Sequence, residues 1–287
     1  MYSKNCVKNV CFWLFSSVVG IAVLYLGLIW KTTENINLLT TDCLFWGAIL
    51  WLLWQKKDKL KFDSSPVSSF IGLLLLGLVL DKSITLFQFE SIFLSFLPIL
   101  SAIALALIAS GFRGLSQYLQ ELFLVWFIFF PAGTMGYFIE TTFTITVIND
   151  KIATYLLYYL GFNTVSNGNE VILQLSQLEK FKAIVNYSCT GLPMIILLLK
   201  LGLLLISCAN FTKQKQSLII GFSLLLGFFL GIVRVCLLTL LIPNQQQFDF
   251  WHGTEGSQIF STLSIVIFSG FCYWLLITKH EQKQSMA

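Results

Sequence analysis

Apolar residues in this chain fall in long blocks separated by short polar stretches, and the length of the blocks sets the fold. A helix rises about 1.5 Å per residue, so about 20 apolar residues cross the roughly 30 Å hydrocarbon core of a bilayer. Blocks of that kind lie at about 10–30, 38–54, 67–80 (extendable from Ser64), 91–110, 122–139, 191–210, 217–242 and 255–277. They predict an all-α fold, a polytopic membrane helical bundle of about eight transmembrane helices. Pro131 falls inside the fifth block and predicts a kink there. Residues 1–287 are expected to form a single integral membrane domain.

One polar interruption is longer than a turn, at 141–188. Its first part, 142–160, has several apolar faces and predicts an interfacial helix lying on or dipping into the membrane surface. Further on, Thr164-Val165-Ser166 and Glu170-Val171-Ile172-Leu173 flank Asn167-Gly168-Asn169, the pattern of a small β-hairpin. The spans from 120 to 277, with this connection between them, carry the candidate chemistry below and are the expected catalytic half. No internal repeat of the transporter kind is present.

Charge sets the orientation. With the N-terminus inside, the cytoplasmic set is Lys4, Lys8, Lys56, Lys57, Lys59, Lys61, Arg113, Lys213, Lys215, Lys279 and Lys283. The other side holds Lys31, Lys82, Lys151, Lys180 and Lys182, so eleven basic residues stand against five. Both termini are therefore expected in the cytoplasm of a multi-pass cell-membrane protein, and the connection at 141–188 and the loop at 243–256 share the outer face.

Composition narrows the class. The chain is 56% hydrophobic and only 11% charged, where soluble domains carry about a quarter charged residues. A net charge of +4 gives no footprint for nucleic acid, and membrane lipids are the partners implied by the apolar surface. Seven scattered cysteines without a CxxC pair argue against a disulfide framework and a structural zinc site. Two histidines on opposite sides, with no HExxH, leave no metal site, and no cofactor motif appears. The first apolar block is long enough to span and shows no small-residue cleavage site, so it reads as a helix rather than a cleaved signal.

Within this frame one junction is unusual. In Asn186-Tyr187-Ser188-Cys189-Thr190-Gly191-Leu192-Pro193 a polar segment runs into an apolar helix. Pro193 belongs in a first helical turn, where its missing N–H is not needed. Thr190 as N-cap makes Pro193 the third helical residue and leaves Cys189 just outside the helix mouth. The positive end of the helix dipole favours thiolate over thiol at such a position. The plain alternative is a small residue at a helix start.

Arg234 lies nine residues before Pro243, roughly 13 Å below the outer end of its span. A guanidinium at that depth costs about 3 kcal/mol even on the forgiving insertion scale. It either snorkels to a lipid phosphate or serves a site, because no carboxylate lies deep in a neighbouring span to pair with it. His252 sits in Phe248-Asp249-Phe250-Trp251-His252-Gly253-Thr254-Glu255-Gly256, an aromatic interfacial loop. It is an ordinary surface imidazole or a base, with Asp249 or Glu255 placed to orient it if the segment is helical. Lys200, about 16 Å beyond Cys189, snorkels to the cytoplasm and carries no role. Jointly, Cys189, Arg234 and His252 supply a nucleophile, a cation and a base on one face.

At these residues the chain resembles the exosortase/archaeosortase family of membrane transpeptidases, and within it the cyanobacterial members. The shared pattern is Cys189-Thr190-Gly191 at a helix start, Gly231-Ile232-Val233-Arg234 in a following span, and His252-Gly253-Thr254-Glu255-Gly256 in the next outer segment. Phe129-Phe130-Pro131, Gly161 and the Asn167-Gly168-Asn169 turn keep the family's order and spacing. The match covers the second half of the chain, and the first half in hydropathy alone. Family members usually carry Asn three residues before the Arg, where this chain has Gly231.

The resemblance implies substrates that are secreted proteins with a C-terminal sorting signal: a short PEP-CTERM motif such as Pro-Glu-Pro, a transmembrane helix and a basic tail. It implies Cys189 as nucleophile, Arg234 as thiolate and oxyanion stabiliser and His252 as general acid/base, with no cofactor. Two other readings remain at this stage: a membrane transporter with Arg234 and Lys200 along a polar path, and a lipid-linked transferase using Arg234 for phosphate.

Overall fold

The computed structural model describes residues 4–85, 91–168, 170–174, 180–209 and 211–284. Among them, six helical stretches are long and apolar enough to cross a membrane: Val10–Thr33, Ile36–Lys59, Pro66–Ile84, Phe93–Phe129, Lys213–Leu241 and Thr254–Ile277. A seventh apolar helix, Leu192–Cys208, is shorter. The protein is thus a helical membrane protein, and the chain divides into two compact units, Met1–Pro131 and Ala132–Ala287.

The first unit contains α1 (Lys4–Thr33), α2 (Ile36–Lys56), α3 (Pro66–Thr85), α4 (Ser91–Gly114) and α5 (Leu119–Phe129). Asn35 caps α2, its side chain accepting from the Asn37 and Leu38 N–H groups. Small residues let α3 and α4 approach closely: a Cβ on Gly72 would come within 2.8 Å of the Ala104 carbonyl oxygen. The turn expected at 81–90 is helical as far as Thr85, and its last five positions lie outside the described residues. The hydropathy blocks at 91–110 and 122–139 form two helices, as expected. The chain turns at Gly111 (φ 65°) and through Leu115–Tyr118 so that α5 runs back along α4, with the Phe130 ring 6.2 Å from that of Phe96, and it then breaks at Pro131. Phe130 adopts φ −61°, ψ 135°, the extended geometry that a following proline imposes.

Among the described residues, two carboxylates are buried in this unit. Asp42 (7% exposed) accepts a hydrogen bond from the Tyr25 hydroxyl at 3.3 Å, beside Trp46 and Phe129. Glu121 (4% exposed) lies 2.6 Å from the Lys56 ammonium. A carboxylate in an apolar span persists where a partner satisfies it, and the partners here come from other helices rather than from sequence neighbours.

The second unit contains α6 (Ala132–Phe143), α7 (Ile145–Tyr159), β1 (Thr164–Asn167), β2 (Glu170–Gln174), β3 (Lys180–Ile184), α8 (Leu192–Cys208), α9 (Lys213–Leu241), α10 (Gln245–His252) and α11 (Thr254–Gln284). The expected interfacial helix is α7, and its first turn is capped by Glu140, whose two carboxylate oxygens each accept from Thr146 N–H at 3.0 Å. Thr146, Asn149, Asp150, Ala153, Thr154 and Leu157 form its buried stripe. The expected hairpin is present, with Asn167 paired to Glu170 and Gly168 at φ 73°; Asn169 lies outside the described residues. A third strand, β3, extends it to an antiparallel sheet of order β1-β2-β3.

A close backbone contact joins the start of α8 to α9. A Cβ on Gly191 would overlap the Gly227 carbonyl oxygen, and a Cβ on Gly231 would overlap the backbone nitrogen of Gly191. Helices whose backbones meet this closely tolerate only glycine at the crossing. Around it, Met194, Leu198, Ile219, Leu226, Leu230, Phe260 and Phe268 form one apolar cluster, while Ala153, Leu157, Val171, Val185, Cys189, Ile232 and Val235 form another.

Gly231→Ala is expected to lower the thermal stability of the detergent-solubilised protein by about 1–3 kcal/mol, the usual penalty of overpacking. Gly221→Ala, where a Cβ meets open space, should be neutral or slightly stabilising in the same melt.

Asp150 generates a second expectation. Burial pushes its carboxyl above the ordinary 3.8, against the opposing effects of the Ser166 hydroxyl, which donates to it, and of Lys151. A folded-state pKa above the unfolded one means that the native chain holds the proton more firmly, so stability falls as pH rises above 3.8 through the folded-state value. Asp150→Asn should flatten that part of the melting-temperature profile.

Candidate active site

Cys189 is the last residue of a 3-10 turn, Tyr187–Cys189, that leads into α8. Tyr187 anchors the turn: its ring covers Gly136 of α6, where a Cβ would overlap it, and its hydroxyl donates to the Ala132 carbonyl at 3.0 Å. Thr190 does not cap the helix in the expected way. Its hydroxyl donates to the Tyr187 carbonyl at 2.8 Å and accepts from Leu192 N–H at 3.3 Å. Gly191 is the N-cap, and α8 begins at Leu192 with Pro193 as its second residue. The 3-10 turn engages Thr190 and moves the helix start one residue along, and Cys189 still lies at the mouth.

Arg234 follows Gly231 by three residues on α9, so the glycine contact and the guanidinium lie on neighbouring positions of one helix face. The side chain does not snorkel. It is 4% exposed, its Nη2 donates to the His252 carbonyl oxygen at 3.4 Å, and its guanidinium carbon lies 6.0 Å from the Phe260 ring centroid. Arg234 and Cys189 are also close enough to interact electrostatically. Lys200 is 9% exposed and enclosed by the unit.

His252 closes α10, a helix capped by Asn244, whose side chain accepts from Gln247 N–H at 3.3 Å. Neither carboxylate suggested by the sequence is recorded on the imidazole. Asp249 Oδ1 accepts from Gln245 at 2.8 Å instead. The ring is held by Phe248, one helical turn earlier, stacked at 5.2 Å with an interplanar angle of 10°. That spacing, i to i+4, is the signal in the sequence from which Phe248 was legible.

Cys189 and His252 line the same cavity, of about 200 Å³, with Val185, Val235, Leu238, Thr239, Ile242, Gln245 and Phe248. Lys182 and Ile184 of β3 complete the described wall. The sequence reading placed no role on Lys182, because nothing in the chain order relates β3 to His252. A thiol and an imidazole facing one small cavity, with a buried cation reaching the backbone of the imidazole residue, can perform nucleophilic attack with proton transfer.

Arg234→Gln is expected to slow alkylation of Cys189 by iodoacetamide several-fold, because it removes the buried cation that interacts with the sulfur. Site-resolved mass spectrometry measures the rate at Cys189 alone.

The sequence model described as transmembrane exosortase (Exosortase_EpsH) matches residues 30–269. No curated protein and no solved structure matches the chain.

Proposed function

Because the chain belongs to the transmembrane exosortase family, whose members are sorting-related membrane transpeptidases, we propose that it cleaves the C-terminal sorting signal of secreted proteins through a Cys189 thioester and passes the product to an acceptor. The observation that carries this reading is the shared cavity of Cys189 and His252. A transporter or a lipid-linked transferase would need no thiol and imidazole on one cavity.

In the proposed reaction the Cys189 sulfur attacks the carbonyl carbon of the scissile peptide, at a Pro-Glu-Pro-like motif. The thiol proton passes to His252 as the C–S bond forms, the carbonyl π electrons move to oxygen, and the developing charge is stabilised by the Arg234 guanidinium. As the tetrahedral intermediate collapses, the C–N bond breaks and His252 protonates the leaving amine. The thioester is then attacked by an amine or other nucleophilic acceptor, or by water, with His252 taking the proton and sulfur leaving. Phe248 keeps the imidazole in a fixed plane through both steps. The active site opens to the outer face, both termini are cytoplasmic, and the hydrophobic helix of the signal stays in the bilayer beside the bundle.

Cys189→Ala should abolish cleavage of a reporter ending in motif, helix and basic tail, followed by gel shift in membranes. His252→Ala should reduce it to a similar level. Arg234→Lys retains charge but not the planar fork and should lower kcat about 100-fold, in the range for loss of an oxyanion donor. Cleavage unchanged by Cys189→Ala overturns the assignment.

A further inference from the structure

β3 is an edge strand. It pairs antiparallel with β2 on one side, and among the described residues no strand pairs with its other side. An unpaired strand edge is a row of backbone donors and acceptors that can template an added strand, and extended peptides are recognised by just this addition. Here the edge has a destination. Lys182 and Ile184 of β3, and Val185 after it, line the cavity that holds Cys189 and His252.

The chemistry of the wall is uneven. Among its described residues Lys182 is the sole lysine, arginine or carboxylate, the rest being apolar or neutral apart from His252. Its side chain is 62% exposed, and its ammonium lies 3.5 Å from Oε2 of Glu170 on β2. Glu170 is paired across the ladder with Ile184, two positions beyond Lys182, so the ion pair runs diagonally over one sheet face. An exposed pair of this length is held weakly and exchanges readily for another carboxylate.

We infer that the substrate's cleavage segment binds extended along the free edge of β3, and that an acidic side chain within it takes Lys182 in place of Glu170. The inference rests on the assignment of Cys189 as nucleophile and adds to it a recognition mode, a charge preference and an internal occupant of the subsite. Strand addition supplies affinity through the backbone, independent of side chains, and aligns the segment with the thiol. Lys182 supplies selectivity. Glu170 keeps the cation neutralised until a competing carboxylate arrives on a chain already docked on the edge.

The test uses the full-length protein in membranes and tail-bearing reporters with Glu, Gln or Lys in the cleavage segment. The unsubstituted protein should favour the Glu over the Gln reporter by about fivefold in kcat/KM, the upper end for an exposed pair, carried by KM rather than kcat. Lys182→Gln should level the two, Lys182→Glu should turn the preference toward the Lys reporter, and Glu170→Gln should lower KM for the Glu reporter. Lys182 is largely exposed, so its replacement leaves the bundle intact. Semisynthetic reporters with one backbone N-methyl group should lose cleavage at alternate positions of the segment, as a strand with one bonded edge requires. An order of preference unmoved by the Lys182 variants, or N-methyl effects without alternation, overturns the inference while Cys189→Ala still abolishes cleavage. Cleavage that survives Cys189→Ala removes the underlying assignment as well.

Discussion

The close backbone contact between α8 and α9 is the constraint on which the candidate site depends. Gly191, Gly227 and Gly231 let the start of one helix rest directly on the other, at positions where any side chain would overlap main-chain atoms. Two residues before Gly191 is Cys189, and three residues after Gly231 is Arg234. Three helical residues rise only about 4.5 Å, so the crossing sets the thiol and the guanidinium at one level. Gly231 is therefore required by the geometry of this chain. An Asn at 231 would push the Cys189 turn away from α9.

A buried guanidinium extends this constraint to the third residue. Arg234 lies in a span where an unsatisfied charge is costly, and it turns toward the His252 carbonyl and the face of Phe260. By holding the His252 carbonyl it ties α9 to the end of α10, whose His252 lines the cavity. Phe248 then fixes the plane of the His252 ring from within the same short helix.

The sheet adds a polar wall to a site otherwise built from apolar helices. Val171 and Leu173 of β2 are buried, while Lys182, Ile184 and Glu170 lie on the accessible face. Period-two alternation thus gives the sheet one packed face and one accessible face. In the first unit, buried polar groups have a different use. Asp42 with Tyr25 and Glu121 with Lys56 tie helices together.

Block hydropathy by itself determined that this is a helical membrane protein, because lipid leaves a spanning backbone few alternatives to a helix. Asn167-Gly168 determined the hairpin, and Pro131 determined a break, since each imposes local geometry whatever surrounds it. Cys189, Arg234 and His252 were legible one at a time, as a thiol at a helix start, a cation too deep to be idle and an imidazole in an aromatic loop. What only the tertiary structure decided is everything that depends on two distant segments meeting. The packing of α5 back along α4, the partners of Asp42 and Glu121, the strand β3 and the placing of Lys182 on the cavity of Cys189 belong to this class. So does the exclusion of any side chain at Gly231. Periodicity and turn chemistry act within a few residues, whereas a cavity wall or a helix crossing is assembled from positions tens of residues apart, whose proximity no local pattern encodes.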